Sequence, residues 1–287
     1  MRTISVAHSP DADDIFMYYA IKFGWVTPHE TKFENIADDI ETLNQATLKG
    51  QYDICAISFA LYPFVKEDYA LLRTAVSFGN GYGPKLIKKK GTQLKKNFKV
   101  ALSGEFTTNG LLFKIAYPEA KITYLNFLEI EEAVLNGTVD AGVLIHESIL
   151  TYNDALEVER EIWDIWQELA GKELPLPLGG MCLRRSIPLH HAIDYEQTLI
   201  DAVKVANSNK KVLSKMLLER GLIRVDAPTL EKYLELYAND DSIELSELQY
   251  DALDKLYELG YQHGFYENLV KSRDFLIPTQ YRELRAK

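Results

Sequence analysis

Cysteine is scarce in this chain of 287 residues: there are two, Cys55 and Cys182. Two make neither a metal-binding pattern nor a disulfide framework, and both are expected to be free thiols in a reducing compartment. Basic charge is also short. With 32 Lys and Arg against 42 Asp and Glu, the formal net charge is −10. That excludes sequence-independent binding to nucleic acid, where phosphates demand a basic face. No stretch approaches the ~20 apolar residues of a membrane span. The opening "MRTISVAHSPDADD" contains no apolar run of signal-peptide length. The expectation is a cytoplasmic protein with neither membrane nor nucleic acid as partner. Several catalytic signatures are missing too: a Gly-rich phosphate loop, a G-x-S-x-G elbow and H-E-x-x-H. "IHES", from Ile145, begins like the last of these but lacks the second His, so a site without metal or cofactor is expected.

What is present is an α/β pattern. Hydrophobic residues make up 47% of the chain, enough for a sizeable core, and the length suits one large domain or two lobes. "TISVA" is a short strand and "DDIFMYYAIKFG" a helix ending at Gly24. "DIETLNQATLKG" has helical spacing, capped by Asp38 or Asp39 and closed by Gly50. "YDICAISFA" returns as a buried strand. Such alternation predicts parallel βαβ units.

The pattern then repeats. "VAHSPDADDIFMYYAI" from Val6 lies over "VALSGEFTTNGLLFKI" from Val100, and "LNQATLKGQYDICAIS" from Leu43 over "IEEAVLNGTVDAGVLI" from Ile130. Gly50 then matches Gly137, and Asp53 matches Asp140. Two α/β lobes are expected: residues 1–86 together with 178–287, the helical tail included, and residues 87–177. The chain would cross near Gly83–Leu86 and return near Leu178–Cys182, through the extended "LPLPLGG". The lysine run "KLIKKKGTQLKKNFK" reads as a solvated face.

Ligands of open α/β sheets bind beyond the carboxyl ends of strands, so two facing lobes place those ends on opposite walls of one cleft. His8, Ser9, the "DADD" loop and Ser58 would come from the first lobe. Ser103, the "EFTTN" loop and His146 would come from the second. In "DADD", Asp11 or Asp13 is expected to cap the first helix. Thr107 and Thr108 either cap a helix or bind an anion beside its N-terminal N–H groups. His146 ends the apolar run "AGVLI". It is either a polar residue stepping into solvent or a base delivered into the cleft, with His8 its rival at the matching strand end. Glu147 is expected to turn outward.

Five segments in register sharpen this reading: "SPDADDIFMYYA", "DIETLNQATLKGQYDICAISFALYPFV", "TTNGLLF", "GVLIHESILTY" and "LPLPLGG". Together they resemble the 1,4-dihydroxy-6-naphthoate synthases of the futalosine route to menaquinone, over the first ~190 residues. The resemblance implies a cytoplasmic protein with a two-lobe, periplasmic-binding-protein type II-like α/β fold. It implies a carbon–carbon lyase that takes cyclic dehypoxanthinyl futalosine, a small-molecule carboxylate, and releases 1,4-dihydroxy-6-naphthoate. The family's general base falls on His146. Its substrate-contacting segments fall on Ala56, Ile57 and Ser58, and on Thr107, Thr108 and Asn109. Asn109 stands where the family has smaller residues. A neutral imidazole suits the proton removal such a fragmentation needs. Chorismate dehydratase, on the same fold and route, and a small-anion-binding protein without catalysis are the alternatives. The sequence leaves the oligomeric state open.

Overall fold

The structure, a computed structural model, describes residues 2–279, with the side chain of Asp13 outside that description. The chain opens with β1 (Arg2–His8), α1 (Ala12–Lys22), β2 (Thr31–Ala37), α2 (Ile40–Leu48) and β3 (Ile54–Ser58). A short α3 (Tyr62–Val65) leads to β4 (Tyr69–Leu71) and β5 (Ser77–Gly79). There follow β6 (Lys85–Lys89), β7 (Lys99–Leu102), α4 (Thr108–Ala116), β8 (Lys121–Tyr124), α5 (Ile130–Leu135), β9 (Ala141–Leu144) and β10 (Leu156–Glu161). Next come α6 (Ile162–Ala170) and β11 (Leu176–Arg184), and then the helices α7 (Leu189–Ser208), α8 (Lys210–Glu219), α9 (Ala227–Tyr237) and α10 (Glu247–Gln262).

Local chemistry explains the boundaries. Asp39, not Asp38, caps α2: its carboxylate accepts from the Glu41 and Thr42 amides, which the helix itself cannot satisfy. Gly50 follows the helix at φ +62, where a side chain would be strained. Every residue of β3, "ICAIS", is buried. Such a strand has no solvent face and therefore shows no polar alternation.

The strands form two sheets. The first runs β2-β1-β3-β11-β4, with β5 also paired to β11, and the second runs β10-β6-β9-β7-β8. In the first, β1 is parallel to β2 and β3, while β11 is antiparallel to β3. In the second, β7 is parallel to β8 and β9, while β6 is antiparallel to β9. The two sheets thus share one plan, three parallel strands flanked by one antiparallel neighbour, as the internal repeat predicts.

The chain passes between sheets at 80–84 and again at 171–175. "LPLPLGG" is therefore not the return crossing expected near Leu178–Cys182 but strand β11 itself. Its backbone hydrogen bonds lie with β3, β4 and β5, which holds it within the first sheet. Gly180 is required there, because a Cβ would stand 2.7 Å from the Phe59 ring. The tail packs back on the first sheet: α7 against α1, α9 against α1 and β5, and α10 against β11.

Candidate active site

The ends of β1, β3, β7 and β9 converge on one cavity with about 720 Å³ of open space, its mouth included. All seven residues singled out from the sequence line it: Ala56, Ile57, Ser58, Thr107, Thr108, Asn109 and His146. Ser9 and Asp14 join them from the loop after β1, and Tyr233 and Tyr237 from α9. Ser103 is buried but lies outside the cavity wall.

The binding segments are rigid because their polar atoms are engaged. Asn44 of α2 reads Ser58 twice: its Oδ1 accepts from the Ser58 amide at 3.0 Å, and its Nδ2 donates to Oγ at 3.2 Å. Thr107 is the cap of α4, accepting from the Gly110 amide at 3.2 Å. Thr108 does something else. Its hydroxyl donates to the Leu178 carbonyl at 3.1 Å and accepts from the Ala60 amide at 3.3 Å. It thereby ties α4, behind the second sheet, to two segments of the first.

His146 follows β9 at φ +55, a left-handed conformation that costs a non-glycine residue about 1–2 kcal/mol. Packing holds it there: Phe127 meets the imidazole edge-on at a centroid distance of 5.0 Å. The ring's Nε2 stands 3.0 Å from Oδ2 of Asp11. Asp11 has the N-cap position of α1 but makes no cap hydrogen bond. Its carboxylate turns instead toward the cleft, where Ser9 Oγ donates to it at 2.7 Å and Arg224 pairs with its other oxygen. Burial pushes the Asp11 carboxyl up; His146, the Ser9 hydroxyl and Arg224 more than offset this and hold it below the ordinary value. An ionised Asp11 can only accept.

Glu147 corrects its expectation. It is buried and turned inward, with Oε1 accepting from the Ala12 amide at 3.1 Å and Oε2 3.4 Å from Arg224. The left-handed turn at His146 aims the next side chain back at α1, where the first helical amides lack partners. Arg224, which sequence reading missed, lies between α8 and α9 and stacks over Phe127 at 5.3 Å. No local pattern marks it, since it meets Asp11 from 213 positions away. His8, the rival base, is buried elsewhere. Its ring nitrogens face the Ser9 carbonyl and Asn35 Oδ1, its ring stacks on Tyr18 at 4.9 Å, and it lines a smaller neighbouring cavity. The other acid of the loop, Asp14, lines the main cavity, with Oδ2 accepting from the Ser9 amide at 2.8 Å.

Known proteins resemble this chain throughout. A family model described as "Menaquinone biosynthesis" matches residues 4–262. The 1,4-dihydroxy-6-naphtoate synthase of Streptomyces coelicolor is 28% identical over 258 residues, 88% of this chain and 90% of that one. Its namesake from Thermus thermophilus is 32% identical over 190 residues, 65% of this chain and 68% of that one. Among solved structures, protein AF1704 from Archaeoglobus fulgidus superposes with a TM-score of 0.85 at 33% identity, covering 92% of this chain and 98% of its own. The periplasmic aliphatic sulphonate binding protein SsuA from Escherichia coli gives 0.67 at 14% identity, covering 98% and 99%. At that identity the likeness shows a fold alone, and the fold is periplasmic-binding-protein-like.

Proposed function

The chain belongs to the menaquinone biosynthesis family, and from that premise we propose that this enzyme cleaves cyclic dehypoxanthinyl futalosine to 1,4-dihydroxy-6-naphthoate. His146 is the general base. Asp11 accepts from Nε2, fixes the ring and stabilises the imidazolium that forms, while Nδ1 takes the substrate proton. Ser58, Thr108 and Asn109, with the backbone of Ala56, Ile57 and Thr107, hold the substrate's carboxylate side. His146 and Ser58 reach the cavity from different sheets, so a substrate between them meets the base and the binding groups at once.

The observation that carries this reading is the ion-pair contact of His146 with a buried, ionised carboxylate at the wall of the cavity. A solute-binding protein has no need of a base oriented in this way. No redox change accompanies the cleavage, so no nicotinamide or flavin is called for. We further propose a cytoplasmic location and two lobes, one built on each sheet, with the chain passing between them at 80–84 and 171–175. No described helix is long and apolar enough to cross a membrane.

Purified protein incubated with cyclic dehypoxanthinyl futalosine should release the naphthoate, followed by its absorbance. His146→Asn should lower kcat by at least ~10²-fold while substrate affinity, measured directly, changes far less. Conversion of chorismate instead would assign the sister dehydratase. Tight binding of either compound without turnover would assign capture.

A further inference from the structure

Asp11, the residue before α1, and Asp14, in its first turn, sit three residues apart in opposite surroundings. Arg224 pairs with Asp11 and Glu147, and Nε2 of His146 stands beside Asp11; neither residue pairs with Asp14. Asp14 nonetheless faces the same cavity as His146, and its Oδ2 is fixed by the Ser9 amide. It also stands at the boundary of the smaller apolar cavity lined by Met17, Tyr18, Met181 and Leu199. It is a carboxyl presented to the cavity that pairs with neither Arg224 nor His146, with His8 beside it at the smaller cavity.

We propose that Asp14 is a second catalytic residue, the proton donor to the ring oxygen on which charge collects as the naphthoate becomes aromatic. This rests on the reading of the chain as the naphthoate-forming lyase. The step balances without a co-reactant. His146 takes a proton from a hydroxyl of the departing fragment, and that oxygen's electron pair becomes a C=O bond as the carbon–carbon bond breaks. The bond's own pair moves into the ring and onto a carbonyl oxygen, which becomes one of the product's two ring hydroxyls by taking the Asp14 proton. Imidazolium and carboxylate then return to their resting states by proton exchange with water.

The surroundings of Asp14 agree with a resting neutral acid. Burial raises its carboxyl above the ordinary value, and the neighbouring charge of Asp11 adds to this. His8 on β1 and the Ser9 amide offset only part. The remaining titratable neighbours are Cys55 on β3, itself pushed up to about 12 by burial, and His146 across the cavity. Two carboxyls of one loop, one held down and one pushed up, divide the roles of fixed anion and proton donor.

Wild type, Asp14→Asn and Asp14→Glu should be compared in single turnover with cyclic dehypoxanthinyl futalosine, beside direct measurement of substrate binding. Asp14→Asn keeps a hydrogen-bond donor but has no proton to give. Its kcat should fall by at least ~10²-fold with Kd within about 3-fold, and the alkaline limb of its pH profile should vanish. Asp14→Glu should recover part of the rate and the limb. A rate retained in the Asn variant, or a loss confined to Kd, overturns the proposal. Wild type that leaves the substrate intact overturns the functional reading itself, a different result. Independently of turnover, carbon-13 NMR of the wild-type carboxyls, assigned from the Asp14→Glu spectrum, should show Asp14 titrating above the ordinary ~3.9. A midpoint at or below it overturns the proposal even if the Asn variant does not fold.

Discussion

Asp11 and His146 follow strands of different sheets and meet with Oδ2 and Nε2 3.0 Å apart. The contact joins a segment that follows β1 to one that follows β9, one from each sheet. Asp11→Asn removes the charge and keeps the shape. The acidic limb of the kcat/KM profile, which reports the base, should move about 1–3 units to lower pH, the size expected for a lost opposite charge. The rate on the plateau should fall, because an amide can donate to the ring and favour the wrong tautomer. A profile superposable on that of wild type would separate Asp11 from the chemistry.

Asp11 and Asp14 should also bend the stability curve in opposite senses. Asp11 titrates lower in the fold than its ordinary 3.8, so its contribution is present above that value and lost as pH falls through the folded one. Asp14 titrates higher than 3.8 in the fold, so its contribution is complete below 3.8 and is lost as pH rises through its folded value. In urea unfolding between about pH 3 and 8, the deficit of Asp11→Asn should shrink toward acid. Asp14→Asn should gain relative to wild type toward neutral pH. Offsets independent of pH in both variants would contradict the two shifts.

The repeat was legible because its signals are local. Asp53 Oδ2 accepts from the Ser5 amide at 3.0 Å, and Asp140 Oδ2 from the Lys99 amide at 2.8 Å. These are matching positions of the two sheets, each three residues beyond a left-handed glycine, Gly50 and Gly137. Strand ends and the cavity residues follow from such patterns. Arg224 and the inward Glu147 do not. One depends on a contact between distant segments, and the other on a single backbone angle at His146 that no residue type dictates. Likewise "LPLPLGG" looks like a linker because a strand buried among three others needs glycine for close approach more than it needs polar alternation.

The two threonines should separate cleanly. Thr107→Val loses a helix cap, at a cost of about 0.5–2 kcal/mol in stability. Thr108→Val leaves the Ala60 amide and the Leu178 carbonyl without their partner, at about 1–3 kcal/mol. Because Thr108 joins segments of both sheets, its loss should also raise KM, whereas the Thr107 effect should be confined to the melting temperature if it serves only α4. Equal changes in KM would give both hydroxyls to the substrate.

Cys55 and Cys182 are register partners on β3 and β11, both free and fully buried. Burial pushes the Cys55 thiol up to about 12 and Cys182 well above its ordinary value, so neither is a thiolate at neutral pH. A thiol reagent should therefore find no fast-reacting group in the native protein. In denaturant, without reductant, it should find two. A count of zero after unfolding would mean that the pair is oxidised.

Arg224 joins the carboxylates of Asp11 and Glu147, which follow strands of different sheets. It is 36% exposed, so water screens its pairing, yet both acids are buried and would be left with fewer partners. Arg224→Met keeps the length of the side chain and its packing on Phe127 while removing the charge. It should lower unfolding free energy by about 1–3 kcal/mol at neutral pH. The loss should shrink in acid, as Asp11 takes up its proton below the ordinary 3.8. Nη2 alone makes both contacts; Arg224→Lys restores the charge but not the guanidinium plane over Phe127, so it should recover only part of the loss. Full recovery by Lys would mean that charge alone matters, and that the guanidinium plane contributes nothing.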